Sequence, residues 1–400
     1  MGKDKTKISP KVKIYDIFGK GLILNPRPSL SDYGWLAKSP EKLDFLTGAP
    51  LTVAGDLPVI CSHTVMTQGA LSLLEKASLE VAPYLYVYRT EKEYKDLLNS
   101  LSRKKKKIVF NHAHPEDEME HERYWISPNL LVYLNNKANL NEIVPSDNIP
   151  LRKITPLSQI KKVINEFAKL PLVIKAATNH PTGAGRDVII CRNTKDIDRA
   201  CNYFSTSQNV VVEDFIEINK NFNIQFAATR LGHIIYLGAS EQINTPAGNY
   251  SGNWLFKDKE PPKSVVELGR KIMKHACRLG FFGVGGFDIA ISKDNRVLAI
   301  DLNFRLNGST PALLMKDSIM RCHNASVLLF RTWKAVVNWN RFFSICKELI
   351  ESKYLVPIAI YNPLANPFSG PGAMLSGILT GTSKKDILNK QLQLEKSGLT

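Results

Sequence analysis

The chain has 400 residues, 44% of them hydrophobic and 22% charged, proportions that exclude wholesale disorder and fit a folded chain. Such a length exceeds one ordinary core and predicts roughly two to three domains or lobes. The net charge of +16 suits anionic partners, but charge alone does not separate a nucleic acid from a nucleoside triphosphate or an acidic protein.

The start, "MGKDKTKISPKVK", lacks the apolar centre of a signal peptide. It formally fits the permissive myristoylation pattern, for which a charged, disordered start is the simpler reading. No stretch approaches the ~18 continuous apolar residues of a membrane span, so a cytoplasmic protein with no membrane span is expected. The six cysteines (Cys61, Cys191, Cys201, Cys277, Cys322 and Cys346) show no metal-ligand or redox spacing and predict reduced core thiols.

Between residues 8 and 135, apolar runs such as "GLILN", "DLPVICS", "YLYVYRT" and "KKIVFNH" alternate with the amphipathic "TQGALSLLEKA" and "EKEYKDLLNSL". This alternation predicts a small α/β layer with a parallel sheet. The lysine run "RKKKK" at 103–107 is expected to be a solvated turn, since no aromatics interleave it. "NHAHPEDEMEHERYW" gathers His112, His114 and His121 without a regular ligand pattern, so a polar, substrate-facing loop is expected rather than a zinc site.

From 136 onward, "NNKANLNEIV" reads as a short helix, "LSQIKKVINEFAKL" as a helix, and "PLVIKAA" as a buried strand ending near Lys175. "TNHPTGAGRDVIICRN" predicts a hairpin with Gly183 and Gly185 at its tip, where missing side chains let backbone N–H groups approach a phosphate. "TKDIDRACNYF" is helical and "NVVVEDFIE" a strand. "NIQFAATRLGHIIYLGASEQI" gives two strands about a Leu-Gly turn, and "NTPAGNYSGNW" a polar loop. "SVVELGRKIMKHACRLG" is a strong amphipathic helix, and "FFGVGGFDIAISKDNRVLAIDLNFR" a hairpin turning at "KDNR". The remainder predicts a C-terminal helical extension, "WKAVVNWNRFFSICKELIES", then a Pro- and Gly-rich loop at 363–372 and a last helix.

One hairpin concentrates chemistry. Asp301, Asn303 and Arg305 alternate and share one strand face, and Asp288 stands on the other arm. Asp288, Asp301 and Asn303 are hard oxygen donors suited to Mg²⁺, with Mn²⁺ as an alternative, when substrate phosphates fill the remaining positions. Lys137 and Lys175 are point charges suited to phosphate oxygens, and Arg305 suits a developing phosphate or a bound carboxylate. No convincing Ser/His/Asp or Cys/His set accompanies them.

In order, "NNK" at 135–137, "LPLVIKAA", "TGAGRDV", "VVVEDFI", "GGFDIAI" and "AIDLNFRLNGST" resemble the ATP-grasp superfamily from about 135 to about 315. The resemblance implies an α/β ATP-grasp fold divided into a pre-ATP-grasp α/β domain (1–135), a small lobe (136–210), a large lobe with the metal site (211–330) and a C-terminal extension (331–400). It implies ATP held at its phosphates by Lys137, Lys175 and the loop from Gly183 to Asp187, and adenine flanked by Glu213 and Ile216. Asn221 stands where an acidic ribose contact is usual, and Asp301 where glutamate is usual.

The implied activity is ATP-dependent carboxylate–amine ligation: a small-molecule carboxylate attacks the γ-phosphate, and an amine, amino-acid or peptide acceptor displaces phosphate from the acyl phosphate. The accessory segments look similar to peptide and amino-acid ligases of natural-product pathways, of the pheganomycin and butirosin kind. Aminoacyl transfer to a carrier-protein thiol and a non-catalytic nucleotide-binding module are the alternatives. No nucleic acid is expected as partner, and a homodimer is compatible with the sequence.

Overall fold

The computed structural model describes residues 7–31, 39–167, 170–183, 185–245, 250–366 and 372–400. The formal myristoylation motif, residues 246–249 of the polar loop and residues 367–371 of the Pro- and Gly-rich loop lie outside the described residues.

Four strands open the chain: β1 (Leu22–Asn25), β2 (Val59–Ser62), β3 (Leu85–Tyr88) and β4 (Lys107–Phe110). They pair in parallel in the order β3-β2-β1-β4, the arrangement that strands separated by crossover helices adopt. Helix Glu91–Arg103 shows why the elements form: the Thr90 side chain caps the Glu93 N–H, and Tyr94, Leu98 and Leu101 bury one stripe. The lysine run that follows is exposed, with Lys105 at φ +53°, a solvated turn as expected.

The second sheet comprises β5 (Arg152–Pro156), β6 (Leu172–Ala177), β7 (Val188–Cys191) and β8 (Asn209–Asp214), antiparallel in the order β5-β8-β6-β7. It packs on its own core of Ile160, Phe167, Ile174, Phe204, Val212 and their neighbours. The helix expected over "LSQIKKVINEFAKL" is shorter than its pattern, with a 3₁₀ turn at Leu157–Gln159 and an α-helix at Ile160–Ile164.

The third sheet has eight strands: β9 (Ile218–Ala228), β10 (Ile234–Asn244), β11 (Tyr250–Phe256), β12 (Gly283–Ser292), β13 (Val297–Asn303), β14 (Val327–Lys334), β15 (Leu355–Tyr361) and β16 (Met374–Gly381). Their order is β13-β12-β9-β10-β11-β14-β16-β15. The expected helix Lys263–Arg278 packs against β9, β10 and β12.

Two expectations change here. Tyr250–Trp254, read as loop, belong to β11, where Gly252 at φ +146° lies so close to β14 that a Cβ would collide with the Phe330 carbonyl oxygen. The C-terminal stretch contains helices Trp339–Glu351 and Lys384–Lys396, but "WKAVV" begins as the end of β14, and β15 and β16 complete the large sheet. Every residue of β15 and β16 is buried, and a short strand buried on both faces has no periodicity to separate it from a buried helix. One core joins these strands to the N-terminal sheet through residues such as Leu24, Leu314, Leu329, Ile360 and Leu379. Among the described residues, no helix is long and apolar enough to cross a membrane.

Candidate active site

The β12–β13 hairpin lays Asp288 directly opposite Asp301. A β-bulge adjoins that pair: Ile289 faces Ala299, so Ile300 has no partner across the hairpin. Its carbonyl is thereby available, and it accepts a hydrogen bond from Lys175 Nζ at 2.9 Å. Below the bulge, Asn303 Nδ2 donates to Asp301 Oδ2 at 3.3 Å, and Arg305 Nη1 donates to Asn303 Oδ1 at 2.6 Å. The predicted shared face of Asp301, Asn303 and Arg305 is thus present as a chain of contacts.

The two lysines reach this hairpin from different elements. Lys137, on the 3₁₀ turn Lys137–Asn139, pairs with Asp301 and, at 3.2 Å, with Asp187 Oδ2. Burial works against its ammonium group, but the two carboxylates outweigh that and raise its pKa above the ordinary lysine value. Lys175, 3% exposed on β6, pairs at 2.5 Å with Glu213 Oε2, and Arg152 Nη2 lies 3.5 Å from Glu213 Oε1.

Asp288 and Asp301 titrate in opposite directions. Burial, followed by the charge of Asp301, pushes the Asp288 carboxyl up to about 6, although Asn223 Nδ2 at 2.7 Å and Gln242 Nε2 at 3.3 Å donate to it. Burial alone would raise Asp301 too, but Lys137, then Lys175 and Arg305, hold it below the ordinary aspartate value. A folded-state pKa above the unfolded one makes ionised Asp288 a cost at neutral pH. Asp288→Asn is therefore expected to raise the Tm of the ligand-free protein at pH 7.5. Thermal melts against pH should show that gain shrinking through pH 6 and gone below about pH 4, near the ordinary aspartate pKa; a pH-independent difference would contradict the burial argument.

The glycine loop is pinned at both ends. Arg305 Nη2 donates to the Thr182 carbonyl at 3.4 Å, and Asp187 carries the ion pair to Lys137. Gly185 adopts φ +72°, and Arg186 N–H donates to the Gly183 carbonyl at 3.3 Å. The segment after β13 is held from the N-terminal side, where Asn135 Oδ1 accepts from Phe304 N–H at 2.9 Å and Asn111 Oδ1 from Leu306 N–H at 3.3 Å. Gly286 leaves space for the Asn307 amide, which a Cβ would meet at 2.5 Å and which donates to the Arg305 carbonyl.

Glu213 and Ile216 lie at the passage from the small sheet to the large one. The Glu213 carboxylate is 2% exposed within its two ion pairs, while no backbone hydrogen bond ties Phe215 or Ile216 to another described residue. Asn221 Nδ2 donates to Gln242 Oε1 at 2.7 Å, and its buried Oδ1 has no partner among the described residues.

Sequence reasoning missed Asp187 and Arg152 as charge partners, Asn223 and Gln242 as donors to Asp288, and the bulge at Ile300. Part of this was legible. "NFNIQF" places Asn221, Asn223 and Gln225 on one face of β9 by alternation, and Gln225 continues the polar row to Asn223 at 2.7 Å and Ser309 at 3.0 Å. Of the histidines, His114 serves the N-terminal core: it contacts the Tyr94 hydroxyl at 3.2 Å through Nε2, and its N–H donates to the Tyr124 hydroxyl at 2.7 Å.

The donor set fits a hard divalent cation. Among the described residues no group of three or more His, Cys, Asp or Glu side chains gathers as a metal cluster, which leaves two facing carboxylates and the Asn303 amide. Such a set suits Mg²⁺, which keeps water or phosphate oxygens in its other positions. A cation would also relieve the repulsion across the Asp288–Asp301 pair. Two clefts, both open to solvent, flank the hairpin and share Asn135 and Leu302 as a wall: one contains Lys137, Lys175, Glu213, Ile300 and Asp301, and the other Asn111, His112, Thr182, Asn303 and Arg305.

Two family models match this chain: the L-aspartate–L-methionine ligase N-terminal domain over residues 13–132, and the L-aspartate–L-methionine ligase ATP-grasp domain over residues 150–303. The 2-oxoglutarate carboxylase small subunit of Hydrogenobacter thermophilus is 21% identical over 200 residues, which are 46% of this chain and 40% of that relative's length. The chain thus spans well under half of that curated relative.

Among solved structures, N5-carboxyaminoimidazole synthetase from Staphylococcus aureus with ADP superposes with a TM-score of 0.58 at 12% identity, over 98% of this chain and 99% of that one. The biotin carboxylase domain dimer of the H. thermophilus 2-oxoglutarate carboxylase, with MgADP, ADP and bicarbonate, gives 0.57 at 13% identity, over 95% and 91%. At these identities the superpositions speak for the fold, and the two family models, one for each half of the matched region, speak for the branch. The chain has the ATP-grasp fold and is similar, over residues 13–132 and 150–303, to the two domains of the L-aspartate–L-methionine ligase family.

Proposed function

We propose that the protein joins two amino acids at the expense of ATP, aspartate supplying the carboxylate and methionine the amine, through an acyl phosphate with release of ADP and phosphate. The substrate pair follows the name of the matched family. The observation that carries the reaction type is the meeting of Lys137, Lys175 and Arg305 with the facing Asp288 and Asp301 at the seam between the two ATP-grasp sheets.

Phosphoryl transfer asks a protein for positioning and charge neutralisation rather than for a covalent nucleophile. In this reading Lys137 and Lys175 exchange their carboxylate partners for phosphate oxygens. The loop from Gly183 to Asp187 covers the phosphates, and the free backbone of Phe215 and Ile216 meets the adenine edge beside Glu213. The unpartnered Asn221 Oδ1 suits a ribose hydroxyl, which can donate to it. Asp288, Asp301 and Asn303 would hold Mg²⁺, which when bound neutralises phosphate charge. Arg305, whose present partners are the neutral Asn303 amide and Thr182 carbonyl, steadies the acyl phosphate.

The test is phosphate release from ATP and Mg²⁺ with aspartate and methionine together, separately and among other amino acids. ADP formation requiring both, with the dipeptide seen by mass spectrometry, is the expected result. AMP and pyrophosphate would overturn the mechanism, and turnover only with a carrier protein would move the acceptor to a thiol. ATP binding without turnover across the whole pool would favour the nucleotide-binding module. The related carboxylase domain is a dimer; a homodimer of this chain is proposed by analogy, and sedimentation equilibrium checks it.

A further inference from the structure

The open cleft beside Arg305 contains a side chain that the mechanism above does not use. His112 follows β4 on the loop after Phe110 and lines the cleft together with Thr182, Asn303 and Arg305. Its backbone carbonyl accepts from His114 Nδ1 at 3.1 Å, but among the described residues no hydrogen bond reaches its own imidazole. The neighbouring His114 shows the contrast, since both of its ring nitrogens have partners. Arg305, across the cleft, has no carboxylate ion pair of its own among the described residues.

We propose that this cleft seats the amine substrate and that His112 is the base that takes the proton from its amino group as the amide bond forms. The assignment rests on the ligase reading above. The cleft shares Asn135 and Leu302 with the cleft of the two lysines, so an amine entering here approaches the acyl carbon from the side opposite the nucleotide. Leu131 and Val132 line one wall and suit an apolar side chain of the acceptor.

An amino acid's amino group is largely protonated at neutral pH, so the attacking species is the unprotonated fraction, whose first proton has gone to solvent. As the new C–N bond forms, the nitrogen becomes strongly acidic, so even a weak base suffices to receive the proton. His112 meets that requirement as a neutral imidazole, because burial, then the charges of Arg305 and His114, holds its pKa well below the ordinary histidine value. The titratable and charged groups around it are Arg305 beyond β13, His114 on its own loop and His180 on the β6–β7 loop. In the step, the amine nitrogen bonds to the acyl carbon, and the bond from that carbon to the phosphoryl oxygen breaks. Phosphate leaves with the electron pair, and the nitrogen's proton passes to the imidazole.

The experiment compares two acceptors in the full-length protein with ATP, Mg²⁺ and aspartate: methionine, and hydroxylamine, a weaker base that is unprotonated at neutral pH and whose nitrogen, more acidic once bonded to the acyl carbon, passes its proton to water without a protein base. His112→Gln is expected to lower the ratio of dipeptide to aspartyl hydroxamate by about 10²-fold, with partial recovery of dipeptide formation as the pH is raised. Hydroxamate formation itself reports that the variant is folded. Equal losses of both products, or none of either, would overturn the role of His112 while leaving the ligase reading in place. No hydroxamate from the unaltered protein would overturn the ligase reading and this assignment with it.

Discussion

Asp301→Asn is expected to reduce substrate-dependent ADP formation roughly 10²–10³-fold while the protein stays folded. The substitution keeps the shape of the side chain and removes one of the two facing negative charges. Lys137 retains Asp187 as partner at 3.2 Å, so the lysine is not stranded. Asp288 loses the like charge that, after burial, does most to raise its pKa, so the ligand-free protein gains from the change at this position. Asp301, held below the ordinary aspartate value, itself contributes stability at neutral pH, which offsets the gain at Asp288, so the expected pattern is lost turnover with a Tm that changes little. An ADP-forming rate close to that of the unaltered protein would remove Asp301 from the proposed metal site, and a collapsed Tm would show that its main role is to hold Lys137.

Lys175→Met should weaken both ATP use and the fold. The lysine neutralises Glu213 in a place with almost no solvent, and removing one member of a buried pair costs about 3–5 kcal/mol when nothing replaces it. Here Arg152, 3.5 Å from the other carboxylate oxygen, limits that cost. Pairing the change with Glu213→Gln separates the two effects. The double variant should recover most of the lost Tm, because no buried carboxylate is left uncompensated. It should not recover kcat/KM for ATP, expected to fall by about 10²-fold, because the phosphate-facing cation is still missing. Recovery of activity in the double variant would mean that Lys175 acts only as a counter-ion to Glu213.

Both experiments act on groups that are legible in the amino-acid sequence alone. Alternation on one strand marks Asp301, Asn303 and Arg305, and the ordered resemblance to the ATP-grasp superfamily selects Lys137, Lys175 and Asp288 beside them. Their partners are not legible in the same way. Asp187 meets Lys137 from 50 residues away in the chain, and Arg152 reaches Glu213 only because β5 and β8 pair in a register that places them side by side. Nothing local in "RDVIIC" or "LRKITP" announces either contact. His112 shows the same limit from another direction: in sequence it belongs to a histidine-rich run that invites a metal, whereas the fold gives His114 to the core and His112 to the cleft.

The sequence by itself determined most of the layers and the candidate site. Strand–helix alternation produced the parallel N-terminal sheet, amphipathic spacing produced helices such as Lys263–Arg278, and the polar face of the "VLAIDLNFR" strand marked the site. Only tertiary structure decided where β15 and β16 belong, because strands buried on every residue carry no surface pattern. It alone also decided the bulge at Ile300, which turns a ladder carbonyl into a partner for Lys175, and the opposite titration of Asp288 and Asp301. Composition and periodicity record what each segment can bury, but a pKa or a spare carbonyl depends on which distant groups the packed sheets bring within a few ångströms.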